Sequence, residues 1–189
     1  MVTRFPRLII VAGLPGVGKT SLARGLSCRL GIPLLEKDTV KESLADILST
    51  PWSEDWSAEL GAASEETLFR LAALEIQLGH DVIVETPMIY ARSWERLWHN
   101  VDRQRVEPRM IACHCSEETL RARIDNRKQE RHGIHTFRGQ DPGRILSHRA
   151  EFEEQVRRQD IPCLFLNTEN PQEEILAECE AFLSVSLYQ

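Results

Sequence analysis

The chain has 189 residues, enough for one domain with its own hydrophobic core. Its apolar share of 42% and charged share of 28% describe an ordinary soluble domain rather than a disordered or membrane-embedded one. A formal net charge of −6 excludes general polyanion binding, so no nucleic-acid partner is expected.

No apolar run approaches the ~20 residues that span a bilayer, and no membrane partner is expected. The N-terminal apolar stretch is only about six residues long and runs into a glycine loop without a small-residue cleavage pattern. A cytoplasmic location is expected. The five scattered cysteines do not form a disulfide framework. Cys113-His114-Cys115 has no second ligand pair at zinc spacing. Alternation places its two cysteines on one strand face as small buried hydrophobes.

Strands and helices alternate along the chain, which implies an α/β fold with a mostly parallel sheet. Leu8-Ile9-Ile10-Val11-Ala12 is an unbroken apolar run suited to a central strand. A glycine loop follows, then a helix over about 19–30, with Leu22, Leu26 and Leu30 on one face and Gly31 as C-cap. Pro33-Leu34-Leu35 is a short second strand ending near Glu36 and Asp38. Val40, Leu44, Ile47 and Leu48 predict a helix with an apolar stripe, stopped by Pro51. The segment 51–56 gives no clear period. Ser64 is expected to begin the next helix, with Leu68, Leu71, Ala72 and Ile76 inside and Gly79 at its end.

Asp81-Val82-Ile83-Val84-Glu85 reads as the third strand, broken by Thr86-Pro87, and Trp94, Leu97, Trp98 and Val101 mark the helix after it. Residues 109–115 form the fourth strand, and Ser116 caps a basic helix with Glu117 and Glu118 in its first turn. Gly133, Gly139, Pro142 and Gly143 punctuate the segment after that helix, and a charged helix is expected over about 144–159. Residues 161–166 are the fifth strand. Asn170-Pro171-Gln172-Glu173 predicts a helix start with Asn170 as N-cap. Neither repeat nor interdomain linker is visible, so 1–189 reads as one domain.

The sharpest motif is Gly13-Leu14-Pro15-Gly16-Val17-Gly18-Lys19-Thr20, a full match to G-x-x-x-x-G-K-[ST] between an apolar strand and an amphipathic helix. Gly13, Gly16 and Gly18 let the backbone curl with its N–H groups inward. Pro15, Val17 and Ser21 complete the turn into the helix, whose dipole adds positive potential. Lys19 supplies a cation for β- and γ-phosphates, and the Thr20 hydroxyl is a hard ligand for Mg2+. ATP or GTP with Mg2+ is therefore the expected cofactor; the motif does not say which reaction follows.

Parallel sheets bind ligands at the carboxyl ends of their strands. Glu85, at such an end, is the candidate acid for holding Mg2+ through water. Asp38 is the candidate to orient an attacking hydroxyl, with Lys41 three residues on as a site for an anionic group of the acceptor; the same Asp38 also suits a helix N-cap. Between Arg121 and Arg149, eight Lys/Arg stand against three Asp/Glu. Arg123, Arg127 and Arg131 share one helical face and suit the charge of a moving phosphoryl group. The segment over about 121–145 is the candidate lid, excluding water when it closes.

With these residues assembled, the chain resembles the small P-loop kinases: nucleoside monophosphate, shikimate and gluconate kinases, the chloramphenicol phosphotransferase type and zeta-toxin-like kinases. The resemblance implies a three-layer α/β/α fold with a five-stranded parallel sheet in the order 2-3-1-4-5. It also implies ATP as donor. Arg123 and Arg127 match the family's Arg-x-x-x-Arg pair, one arginine against the adenine and one on phosphate. Asp38 matches the acid that contacts the acceptor hydroxyl, and Asp38-Thr39-Val40-Lys41 stands where nucleotide kinases carry Asp-x-x-Arg. Two departures matter. Glu85-Thr86-Pro87-Met88-Ile89 lacks the glycine and arginine of Asp-Gly-x-Pro-Arg, and the Gly-rich acceptor loop of shikimate kinases is absent.

The expectation is an ATP-dependent phosphotransferase acting on a hydroxyl of a small metabolite, sugar or antibiotic, as monomer or homodimer. Trp52, Trp56, Met88 and Tyr90 are candidates for its pocket wall. A nucleoside or nucleotide kinase, an NTPase or nucleotide-dependent switch, and a non-catalytic nucleotide-binding module are the alternatives. The chain has no guanine-specifying Asn-Lys-x-Asp.

Overall fold

The computed structural model describes residues 4–48, 51–127, 132–135 and 141–185. Five strands form one parallel sheet: β1 (Arg7–Ala12), β2 (Leu34–Glu36), β3 (Val82–Glu85), β4 (Glu107–His114) and β5 (Cys163–Asn167). Their lateral order is β2-β3-β1-β4-β5, the order that the resemblance implied. Around the sheet run α1 (Lys19–Leu30), α2 (Lys37–Ile47), α3 (Glu54–Gln77), α4 (Ala91–Asn100), α5 (Glu117–Arg127), α6 (Pro142–Ser147), α7 (Arg149–Arg158) and α8 (Gln172–Ser184). Helix α1 packs with α8, and α3 packs with α2 and α4.

Leu8, Ile9, Ile10, Val11 and Ala12 are wholly buried. At about 1.5–3 kcal/mol for each large aliphatic side chain removed from water, β1 is firmly anchored in the core. The loop that leaves it starts from a rigid base. The register sets Glu85 opposite Val11 on one side and Glu36 on the other, so three strand ends meet at one edge. Asp81 lies at the opposite end of β3, where it pairs with Arg4 and Arg7.

Five expectations need correction. Helix α3 begins at Glu54, ten residues before Ser64; Ser53 is its N-cap, accepting from the Trp56 N–H at 3.2 Å. Ser64 lies inside the helix, its hydroxyl donating to the Leu60 carbonyl. Leu71 is exposed and Phe69 takes the buried place instead. In α2 the buried residues are Lys41 and Ala45, while Ile47 and Leu48 face solvent. The charged helix over 144–159 is two helices, broken at His148, with Asp141 capping the first through the Gly143 N–H. Pro171 rather than Asn170 stands at the N-cap of α8.

Cys113 and Cys115 are buried as expected, and burial pushes both thiols up. Among the described residues no group of three His, Cys, Asp or Glu could hold a metal by itself. Among them, too, no helix is long and apolar enough to cross a membrane.

Candidate active site

The loop after β1 is built as its glycines require. Gly13 has φ +146°, and a Cβ there would lie 2.5 Å from the Cys113 carbonyl oxygen, so only glycine fits. Gly18 takes a left-handed conformation as the N-cap of α1. Val17 is buried, and its carbonyl accepts from the Arg123 guanidinium at 2.9 Å and from the Thr168 hydroxyl. Lys19 is nearly buried; its Nζ donates to the Leu14 carbonyl at 3.2 Å and stands 3.5 Å from Glu85 Oε1.

A cleft of ≈ 780 Å³ opens at the carboxyl edge of the sheet. Pro15, Gly16, Lys19, Thr20 and Ser21 of the loop and α1, Asp38 and Lys41 of α2, Glu85 of β3 and Arg127 of α5 all line it. Most of the site residues expected from sequence therefore converge on one cavity. Arg123 is not among its lining. Its guanidinium clasps the loop to the β5–α8 turn, donating also to Thr168 Oγ1 and the Thr168 carbonyl, each at 2.9 Å. Arg127 is exposed and makes no ion pair among the described residues. Arg131 and most of the segment between α5 and α6 lie outside the described residues, so the lid expected over about 121–145 is described only in part.

The acids at the strand ends differ in character. Burial raises the Glu85 carboxyl, opposed by the nearby Lys19 ammonium; the negative charges of Asp38 and Glu36 raise it further. A cation placed there would be met by a desolvated carboxylate among like charges. Glu36 is held down by its paired bonds to Arg24 at 2.7 and 2.8 Å and by Thr39. The Glu36 carboxylate is thus already met by partners, while Asp38, Glu42, Glu65 and Glu85 also line the cleft.

The far wall holds residues that the sequence reading missed. Glu65 of α3 is buried and accepts from Thr86 Oγ1 at 3.1 Å, from Ser93 Oγ at 3.0 and 3.1 Å and from Arg96 at 3.3 Å. It ties α3, the end of β3 and α4 together, and with Ser93 and Arg96 it lines the cleft. A signal existed: residues 65, 68, 69, 72 and 76 share one helical face, and a carboxylate on that buried stripe needs partners. Arg92 and Arg96, four apart on α4, also line this wall. Of the four proposed pocket residues only Tyr90 lines the cleft. Met88 is fully buried in the core, Trp56 packs beside Ala45, Leu60 and Ile134, and Trp52 sits against His132.

A parallel sheet in this order, with a phosphate loop after its central strand, defines the small P-loop kinase fold. A family model described as an AAA domain (AAA_33) matches residues 8–140, and the chain belongs to that family. Among solved structures it is similar to a protein from Chloroflexus aurantiacus assigned as a kinase: 28% identity, 96% of this chain and 100% of that chain covered, TM-score 0.73. It is also similar in fold to a gluconokinase from Sinorhizobium meliloti (18% identity, 96% and 93% covered, TM-score 0.60). A Mycobacterium tuberculosis APS kinase in complex with AMPPNP and APS is a further match (18% identity, 95% and 98% covered, TM-score 0.61). Nothing among curated proteins matches the chain.

Proposed function

We propose that this protein transfers the γ-phosphoryl group of ATP to a hydroxyl of a small molecule. One observation carries the reading: the cavity that begins at the phosphate loop continues past Asp38 to a polar wall on α3 and α4, leaving room for a second substrate. An NTPase that serves only as a switch needs no such space beyond the triphosphate. The kinase assigned in the similar Chloroflexus structure supports the same reading.

The loop amides and Lys19 hold the β- and γ-phosphates, where backbone N–H groups and one ammonium meet the anionic tail. Arg123 sets the loop against the β5–α8 turn. Thr20 and Glu85 fit a divalent cation: one offers a hydroxyl oxygen, the other a desolvated carboxylate that gains from a nearby positive charge. Mg2+ held by them would supply charge neutralisation for the phosphates. Asp38 accepts the proton of the acceptor hydroxyl as its oxygen bonds to the γ-phosphorus. The bond to the β–γ bridging oxygen breaks and ADP departs. Arg127 stabilises the charge on the transferring group.

The test is coupled ADP release over a panel of sugars, hydroxy acids, amino alcohols and hydroxylated antibiotics. Turnover that rises at least tenfold with one acceptor supports the reading. Hydrolysis of ATP at one rate whatever is added rejects it.

A further inference from the structure

The turn between β5 and α8 meets the phosphate loop at the Val17–Gly18 peptide. Gly18 has φ +100°, a conformation that glycine adopts freely, and a peptide beside a glycine can turn either face outward at little cost. Its orientation matters. The peptide is trans, so the Gly18 N–H points opposite to the Val17 carbonyl. Two donors hold that carbonyl. The Thr168 hydroxyl has one proton and two carbonyls within reach. The His114 carbonyl, at 3.2 Å, already accepts from the Thr168 N–H at 3.0 Å. The Val17 carbonyl is nearer, so the hydroxyl proton goes there. Arg123 Nη1 donates both to Val17 and to the Thr168 hydroxyl oxygen, each at 2.9 Å. The turn itself is fixed: Glu169 accepts from the Ser116 N–H at 3.0 Å, from Ser116 Oγ at 2.7 Å and from the Thr119 hydroxyl, which pins it to the start of α5. The clamp lies directly against the glycine, since a Cβ on Gly18 would stand 3.3 Å from Arg123 Nη1 and 3.4 Å from Thr168 Cβ and Oγ1.

We propose that Thr168 is a positioning residue for the phosphate loop: by holding the Val17 carbonyl outward, it aims the Gly18 N–H at the triphosphate tail before any nucleotide arrives. The inference rests on the nucleotide-binding half of the kinase reading. Glycine gives the loop its curl and leaves this peptide free to flip, and the β5–α8 turn removes that freedom. Thr168 acts through the loop and not by contact with the base. It therefore favours a phosphate tail equally with or without a nucleoside attached.

The experiment compares Thr168→Val, which keeps the shape and removes the hydroxyl, with Thr168→Ser, which keeps the hydroxyl. Calorimetry measures the binding of Mg–ATP and of Mg–tripolyphosphate. The valine variant is expected to weaken both by the same factor, about five- to tenfold, the effect of one net hydrogen bond, while the serine variant stays within about twofold of wild type. Amide spectra of ¹⁵N-labelled protein without nucleotide give a second readout. The Gly18 signal is expected to be single and sharp in wild type and in the serine variant, and shifted or broadened by exchange in the valine variant. A valine variant whose Gly18 signal and affinities match wild type overturns the inference. So does a loss confined to Mg–ATP, which would make Thr168 a contact for the base, and so does a serine variant as weak as the valine one. A fall in Tm in both variants that leaves Gly18 no more affected than the rest of the chain assigns Thr168 to packing alone and also overturns it. Should wild type bind neither Mg–ATP nor Mg–tripolyphosphate, the nucleotide reading fails, while the Gly18 signal still judges the clamp.

Discussion

Replacing Glu65 by alanine tests how the acceptor wall is held. The carboxylate gathers two buried hydroxyls, Thr86 and Ser93, and one arginine. Thr86 is fully buried and Ser93 nearly so. Each loses its charged acceptor in Glu65→Ala, and a buried donor left without a partner costs about 1–3 kcal/mol. Arg96 keeps 30% of its side chain in solvent and finds water instead, so it adds little. The expected loss is therefore about 2–4 kcal/mol, set by the two hydroxyls. For a chain of this size that is a Tm drop of roughly 5–15 °C. Glu65→Gln retains one carbonyl oxygen and most of the shape, so its cost is about 1 kcal/mol. Urea unfolding with linear extrapolation measures both. A cost for alanine under about 0.5 kcal/mol, the range of ordinary surface changes, refutes the argument, as does a glutamine variant as unstable as the alanine one.

Asp38→Asn removes the proton acceptor but leaves the loop intact; kcat is expected to fall by about 10²–10⁴ with the KM for ATP unchanged, measured by steady-state ADP release. Gly13→Ala places a methyl group against the Cys113 carbonyl at a backbone angle that alanine avoids. A loss of about 1–3 kcal/mol in urea unfolding is expected, together with weaker nucleotide binding. Glu169 accepts from the Thr119 and Ser116 hydroxyls and the Ser116 N–H, which hold its carboxyl down at about 2. The folded value lies below the unfolded one, so its stabilising contribution is full above the ordinary carboxylate range and is lost as pH falls toward about 2. The Tm gap between wild type and Glu169→Gln is expected to be constant from about pH 8 to 5 and to close in acid; a gap that is unchanged in acid contradicts this.

Sequence was most legible where burial follows periodicity. β1, with apolar residues on both faces, and α1, between two glycines, stand where the pattern placed them. Lys19, Thr20, Asp38, Lys41 and Glu85 could be expected at one cleft, where they stand, because a motif or a strand end marked them. The reading failed where helices line the cleft instead of the core. In α2 one of the two buried positions belongs to Lys41, a cation lining the cavity, and the apolar Ile47 and the following Leu48 are exposed. The first ten residues of α3 offer Ala58, Gly61 and Ala62 to that cavity, so no apolar stripe announced the helix. Glu65 was missed for the same reason: its partners Thr86, Ser93 and Arg96 come from later elements, and only tertiary structure joins them. Arg123 shows the converse, since its spacing from Arg127 was visible but its grip on Val17 and Thr168 depends on how the β5–α8 turn folds back.

The destination of the terminal phosphate decides the central claim. Protein supplied with Mg²⁺ and ATP labelled at the γ-phosphorus, with an accepted hydroxyl compound, is separated after a few turnovers. The account predicts that label moves into the organic acceptor in step with ADP, and that Lys19→Ala abolishes the transfer. Label released only as inorganic phosphate, at a rate indifferent to any acceptor, contradicts it.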